Sequence, residues 1–102
     1  MKIALLGYGK MGQTIERIAL ERGHEIVLKK DEFNTYEGLS NADVAIDFSI
    51  PAVAVENISS CFYANVPVIS GTTGWLDRYD EMVALCKEKM EDLYPVPILA
   101  WA

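Results

Sequence analysis

Basic charge is scarce in this chain: nine Lys and Arg stand against fifteen Asp and Glu, a formal charge of −6 over 102 residues. The few cations form no cluster, which excludes a surface built for nucleic acid or anionic membranes and leaves small soluble ligands as partners. Histidine occurs once and cysteine twice. His24 directly follows Gly23 where a helix should end, so a capping or solvated role is expected of it rather than catalysis. Cys61 and Cys86 fall on the apolar stripes of two predicted helices, where a free thiol behaves as a small hydrophobe, and neither a disulfide nor a metal site is expected. Long apolar runs are missing as well. The stretch after Lys2 breaks into glycines within five residues, too soon for a membrane span or a signal peptide, and a cytoplasmic setting is expected.

What is present is an alternation of periods. Hydrophobic residues make up 51% of the chain, which suits one folded domain with a packed core. Residues 2–6 form a near-continuous apolar run, the pattern of a parallel strand covered on both faces. Met11, Ile15, Ile18 and Ala19 then follow helical spacing, with Gly23 at the left-handed position that ends a helix. A second strand is expected at 25–29, a polar connection with at most a short helical turn around Tyr36 to Leu39, and a third strand at 43–48. Ser49 is expected to cap a helix with Pro51 in its first turn and Ala54, Ile58, Cys61 and Phe62 on its buried face. A fourth strand at 67–70 leads through Gly71-Thr72-Thr73-Gly74 into a helix marked by Leu76, Tyr79, Val83, Cys86 and Met90. Residues 95–102 supply a possible fifth strand. This order describes an α/β fold, a doubly wound parallel sheet of about five strands in a single domain spanning 1–102, of the Rossmann-like dinucleotide-binding type.

Gly7, Gly9 and Gly12 form G-x-G-x-x-G between the first strand and the first helix, the position that the dinucleotide fingerprint requires. Gly7 permits the turn, Gly9 admits a pyrophosphate to the backbone, and Gly12 lets helix and strand approach. Tyr8, Lys10 and Met11 complete the loop, with Lys10 either a phosphate contact or a surface lysine. The same motif calls for an acidic residue about twenty positions on, at the end of the second strand, to bind the adenosine ribose. Asp31 stands there. Lys29 and Lys30 beside it suit a 2′-phosphate instead, so NADH and NADPH both remain open, as does a merely solvated charged turn. Two more stretches lie at carboxyl ends of strands, the edge where open α/β sheets bind ligands: Asp47-Phe48-Ser49, and Gly71-Thr72-Thr73-Gly74. The paired glycines and threonines offer bare backbone and hydroxyls suited to a nicotinamide ribose and carboxamide, or else a polar loop that caps the next helix. For Asp47 a cap or turn role is expected ahead of one as catalytic acid.

Together "GYGKMG" at 7–12, "DVAIDFSIP" at 43–51 and "VPVISGTTGW" at 66–75 resemble the N-terminal cofactor domain of the 4-hydroxy-tetrahydrodipicolinate (dihydrodipicolinate) reductases, over roughly residues 1–90. The resemblance implies an NADH- or NADPH-dependent oxidoreductase of bacterial lysine and diaminopimelate synthesis, usually a homotetramer, acting on a cyclic dihydropicolinate-type substrate. By position it implies that Gly7 through Gly12 hold the pyrophosphate and Asp31 the adenosine ribose. Phe48 and Ser49 would lie along the middle of the cofactor, and Gly71, Thr72 and Thr73 at the nicotinamide end.

The departures are equally specific. The reductases are more than twice as long, and their second domain carries a histidine-rich segment, a catalytic lysine and a P-S-G-T loop that these residues do not include. Many members also have a glycine loop one residue longer, with arginine where this chain has Lys10. Where the family leads into an asparagine–phenylalanine–serine hinge, this chain reads "YPVPILAWA". No catalytic residue is therefore assigned, and these residues alone are expected to bind cofactor without turnover. Two other readings stay open: a nucleotide-sensing or interaction module, and a folded remnant that binds nothing. Apolar surface near Val96 to Trp101 makes self-association into a homo-oligomer a further expectation.

Overall fold

β1 (Lys2–Leu6) shows on a small scale how the sheet is built: Ile3 and Leu5 point to one face, Ala4 and Leu6 to the other, and all four are buried. Such double-sided burial is what a parallel strand between two helical layers requires. The structure, a computed structural model, describes residues 1–72, 74–89 and 98–100, with side chains through residue 89 apart from that of residue 76. The further elements are α1 (Lys10–Glu21), β2 (Glu25–Lys30), β3 (Val44–Asp47), α2 (Pro51–Tyr63), β4 (Val68–Ser70), α3 (Tyr79–Lys89) and β5 (Ile98–Ala100). Two short 3-10 turns, Leu39–Asn41 and Leu76–Arg78, join them. The five strands lie in the order β2-β1-β3-β4-β5 and every pair is parallel.

The two faces carry separate cores. Ile3, Leu5 and Ala19, with Ile15, Ile26, Val44 and Ile46 against them, join α1 to one side. On the other side Ala4, Leu6 and Ala45 meet Ala54, Ile58, Cys61 and Phe62 of α2, and Met82 and Cys86 of α3. Helices on both faces of a parallel sheet make the fold doubly wound, as the sequence pattern predicts.

α1 ends as expected. The Gly23 N–H bonds the Leu20 carbonyl at 3.1 Å and the His24 N–H bonds the Ala19 carbonyl at 2.9 Å, with Gly23 at φ +82°, which together form a Schellman cap. The His24 ring accepts from the Met1 ammonium at 2.9 Å.

The buried stripes differ from the sequence expectation in two helices. Met11 and Ile18 are exposed, at 52% and 42%, because Gly12 and Ala19 bring α1 so close to the sheet that only a narrow strip between them is covered. In α3 Met82 and Cys86 face inward while Tyr79 is exposed. The 3-10 turn at 76–78 advances 120° per residue, not 100°, which rotates everything after it relative to a helix counted from residue 76. Met90 lies outside the described residues, as do 95–97 and 101–102 of the expected final strand; residues 98–100 pair with β4. The β2–β3 connection carries only the turn at Leu39–Asn41, just past the position expected.

Candidate dinucleotide site

β1 connects outward to β2 on one side while β3 lies on its other side, so the chain reverses its winding direction between β1 and β3. Loops leaving adjacent strands at such a switch point diverge and leave a crevice at the carboxyl edge. A cleft of about 610 Å³ opens there, within the range of small-ligand sites. The Gly7–Gly9 loop forms one wall, Lys30 to Phe33 and Tyr36 a second, and Phe48 to Ile50 with Val53, Glu56 and Asn57 of α2 a third.

The three loop glycines are required for different reasons. Gly7 has φ +99°, and a Cβ there would stand 2.4 Å from the Phe48 carbonyl oxygen. At Gly12 a Cβ would meet the Gly7 carbonyl at 2.5 Å. Both are fixed by the fold. Gly9 is not: its φ is −87°, and a Cβ there meets nothing within 4 Å. A glycine that neither backbone conformation nor packing demands keeps open space in front of the first turn of α1. That turn has no side-chain cap and no acidic residue, so its N–H groups and the positive end of the helix dipole are available to an anion.

Tyr8, between Gly7 and Gly9, is tied down from behind. Its hydroxyl donates to Glu16 of α1, Lys29 pairs with Glu16 at 3.1 Å, and the Lys29 ammonium lies 5.3 Å from the centre of the Tyr8 ring. The Tyr8 bond, and then Lys29, hold the Glu16 carboxyl below its ordinary value, and Glu16 in turn raises Lys29. The Lys29 side chain is thus engaged with α1, and Lys30 is the lysine that reaches the cleft, its ammonium 5.0 Å from the centre of the Tyr36 ring. Asp31 enters the cleft beside it. One carboxylate oxygen, Oδ1, accepts the N–H groups of Phe33 at 2.8 Å and Asn34 at 3.1 Å. Oδ2 has no hydrogen-bond partner among the described residues.

The remaining predicted residues divide. Phe48 and Ser49 line the cleft. Gly71 packs against the Phe48 ring, which a Cβ at 71 would meet at 2.2 Å. Thr72 lies behind Ser49, and its hydroxyl accepts the Ser49 N–H at 2.9 Å. Lys10, Met11 and Gly12 belong to the start of α1 and do not line the cleft, while Thr73 lies outside the described residues.

Two expectations are corrected. Ser49 does not cap α2; Ile50 occupies that position without a side-chain cap, because the Ser49 hydroxyl donates instead to Asp47 Oδ1 at 2.6 Å. Asp47 in turn is neither cap nor turn residue: it is 0% exposed and accepts four side-chain hydrogen bonds.

Known sequences match this chain over most of its length. The family described as "Dihydrodipicolinate reductase, N-terminus" matches residues 1–98. The chain belongs to this family. A 4-hydroxy-tetrahydrodipicolinate reductase of Christiangramia forsetii is 53% identical over 91 residues, covering 87% of this chain and 38% of the relative. The Staphylococcus carnosus reductase is 38% identical over 100 residues, covering 88% of this chain and 40% of the relative. The chain therefore spans about two fifths of the length of these dihydrodipicolinate reductases. Among solved structures, aspartate semialdehyde dehydrogenase II of Vibrio cholerae, in a complex with ASA, superposes with a TM-score of 0.64 at 18% identity. The match covers 97% of this chain and 37% of that one, a likeness of fold.

Several cleft residues are not evident from the sequence motifs. Phe33, Ile50 and Val53 are exposed apolar side chains that all line this one cleft, gathered from the end of β2 and the start of α2. Asn57 carries the one available signal: a polar residue on the helix face shared by Ala54, Ile58 and Cys61. Tyr36 donates to Asn57 Oδ1 at 2.5 Å from a stretch that looks like a plain polar connection.

Proposed function

We propose that the chain is the cofactor-binding domain of a dihydrodipicolinate reductase and binds NADH or NADPH in the switch-point cleft. The observation that carries this reading is Gly9, a glycine with an ordinary φ and no neighbour, at the uncapped start of a helix. The loop of Gly7, Tyr8, Gly9, Lys10, Met11 and Gly12 holds the pyrophosphate through backbone N–H groups, since Lys30 is the only basic side chain among the described residues that line the cleft. Asp31 Oδ2 accepts from the adenosine ribose. Phe48 and Ser49 flank the middle of the cofactor, and Gly71, Thr72 and Thr73 meet its nicotinamide end.

When bound, the dihydronicotinamide supplies the hydride for the reduction, on a cyclic dipicolinate precursor of lysine and diaminopimelate synthesis. The residues described here bind and orient. Asp47 is sealed from solvent and accepts four hydrogen bonds within the fold, so it does not touch cofactor or substrate, and with no catalytic residue assigned the 102 residues alone are taken to bind cofactor without turnover. Lys30 and Asp31 side by side suit either cofactor. A cytoplasmic setting fits the two buried, unpaired thiols.

The test is a calorimetric titration of the chain with NADH and NADPH separately, with nicotinamide emission as a second signal. Saturable binding in the micromolar range, about −8 kcal/mol, is expected. A folded sample that binds neither overturns the reading.

A further inference from the structure

Burying a carboxylate completely carries a desolvation cost of several kcal/mol that apolar side chains of similar size would not incur. Asp47 is buried in this way at the end of β3, between the cleft and the loop that follows β4. Its Oδ1 accepts from Ser49 Oγ at 2.6 Å and from Asn57 Nδ2 at 3.0 Å; its Oδ2 accepts from Ser70 Oγ and Thr72 Oγ1, both at 2.8 Å. The network extends outward from both oxygens. Asn57 is held by the Tyr36 hydroxyl, and Thr72 Oγ1 accepts the Ser49 N–H at 2.9 Å. The Thr72 carbonyl accepts the Trp75 indole N–H at 2.8 Å. Tyr36, Ser49 and Asn57 line the cleft, while Ser70 and Thr72 do not. One carboxylate therefore joins the cleft wall to the start of the Gly71–Gly74 loop, and no buried side-chain polar atom of the described residues is left without a partner.

We propose that Asp47 is a positioning residue for the nicotinamide half of the site. It fixes the Ser49 backbone and Thr72 at one separation, so that the loop after β4 stands in register with the cleft that takes the rest of the cofactor. A network in which each group has its partners adopts one arrangement and so holds the groups it carries in place before a ligand arrives. This proposal rests on the dinucleotide reading given above. It adds that the nicotinamide contribution to affinity depends on Asp47 while the adenosine and pyrophosphate contribution does not.

The experiment compares NADH with ADP-ribose, which lacks the nicotinamide, on the 102-residue chain carrying Trp101→Phe so that Trp75 is the sole tryptophan. Three variants are titrated in this background: Asp47→Asn, Thr72→Val and Thr72→Ser. For Asp47→Asn and Thr72→Val, NADH weakens about tenfold or more while ADP-ribose stays within about twofold of the parent. Trp75 emission shifts in both, because the Thr72 carbonyl that holds its indole moves. Thr72→Ser keeps the hydroxyl and keeps NADH affinity. Should Asp47→Asn fail to fold, Ser70→Ala replaces it: this removes one donor to Asp47 Oδ2 at a residue that neither lines the cleft nor is placed against the cofactor, and the same selective loss of NADH affinity is expected.

Parallel loss of NADH and ADP-ribose would make the network a general scaffold and overturn the proposal, as would unchanged NADH affinity. A parent that binds NADH no tighter than ADP-ribose overturns it too, leaving dinucleotide binding intact. Only a parent that binds neither ligand removes the dinucleotide reading itself, and this inference with it.

Discussion

Asp31 and Asn34 hold each other across the end of β2: the Asp31 N–H donates to Asn34 Oδ1 at 2.9 Å, and the Asn34 N–H donates to Asp31 Oδ1 at 3.1 Å. The reciprocal pair is an Asx-type turn that uses Oδ1 and leaves Oδ2 without a hydrogen-bond partner among the described residues, on a side chain that lines the cleft. In the proposed site, turn geometry and ribose contact would fall on different oxygens of one side chain, and substitution can separate them. Asp31→Asn keeps an acceptor for the turn and removes the charge; it is expected to weaken NADH and to shift the NADH:NADPH affinity ratio toward NADPH by about tenfold. Asp31→Ala loses the turn as well and weakens both, NADH the more. Parallel titrations of the two cofactors check this, and equal weakening by both variants would remove Asp31 as the ribose ligand.

The three loop glycines should fall into two classes. Gly9→Ala costs less than about 1 kcal/mol of stability, since its Cβ enters open space and only the N-cap preference is lost, yet weakens NADH and ADP-ribose together by about tenfold or more. Gly7→Ala and Gly12→Ala destabilise the fold by about 1–3 kcal/mol through contacts with the Phe48 and Gly7 carbonyls. Thermal denaturation beside cofactor titration distinguishes the two classes.

Phe33 tests the far end of the cleft. Its ring is 87% exposed while its backbone N–H is fixed by Asp31, an arrangement that leaves a planar side chain standing at the cleft mouth. Phe33→Ala is expected to change stability by less than about 0.5 kcal/mol. It should weaken NADH, NADPH and ADP-ribose by the same factor, since the part these ligands share is the part Phe33 would touch. Calorimetry on the three ligands measures it.

Burial, and secondarily the nearby Asp47 charge, pushes the Cys61 thiol up from 9.0 to about 12. At pH 8 it should therefore resist thiol reagents in the folded chain and react once denaturant is added. The linkage follows from the direction of the shift. The unfolded chain releases the Cys61 proton near pH 9 and the folded chain only near 12, so this group's contribution to stability is fully present below pH 9 and is lost as pH rises from there toward 12. Denaturation followed between pH 7 and 10.5 should show falling stability at the alkaline end, and Cys61→Ala should flatten that part of the profile.

Much of the fold is legible in the sequence because its signals are local. The apolar run of β1, the Gly23 cap and the Pro51 helix start each depend on a few adjacent residues, and the strand–glycine–helix order carries the topology. The site is only half legible. Gly7, Gly9, Gly12 and Asp31 announce themselves by spacing within one βαβ unit. Asn57 and Ser70 do not, and Asp47 and Thr72 stand out only as members of two separate strand-end stretches, because what unites the four is a shared carboxylate across three elements separated by up to 25 positions in the chain. Ser49 illustrates the limit: beside Pro51 it has the pattern of a cap, and only the buried acid two residues before it explains why the hydroxyl turns the other way. The exposed Met11 and Ile18 fail for a related reason, since helix periodicity gives a direction while the closeness of approach is set by Gly12 and Ala19.

NADH titrated into isotopically labelled protein, with each backbone amide followed by NMR, asks residue by residue whether the switch-point cleft is a dinucleotide site. Saturable shifts are expected at Gly7, Gly9, Asp31, Phe48, Ser49, Gly71 and Thr72, with little change at the carboxyl ends of α1 and α2. Shifts that gather away from the carboxyl edge of β1, β2 and β3, or none at millimolar NADH in a well-dispersed spectrum, would contradict a dinucleotide site there.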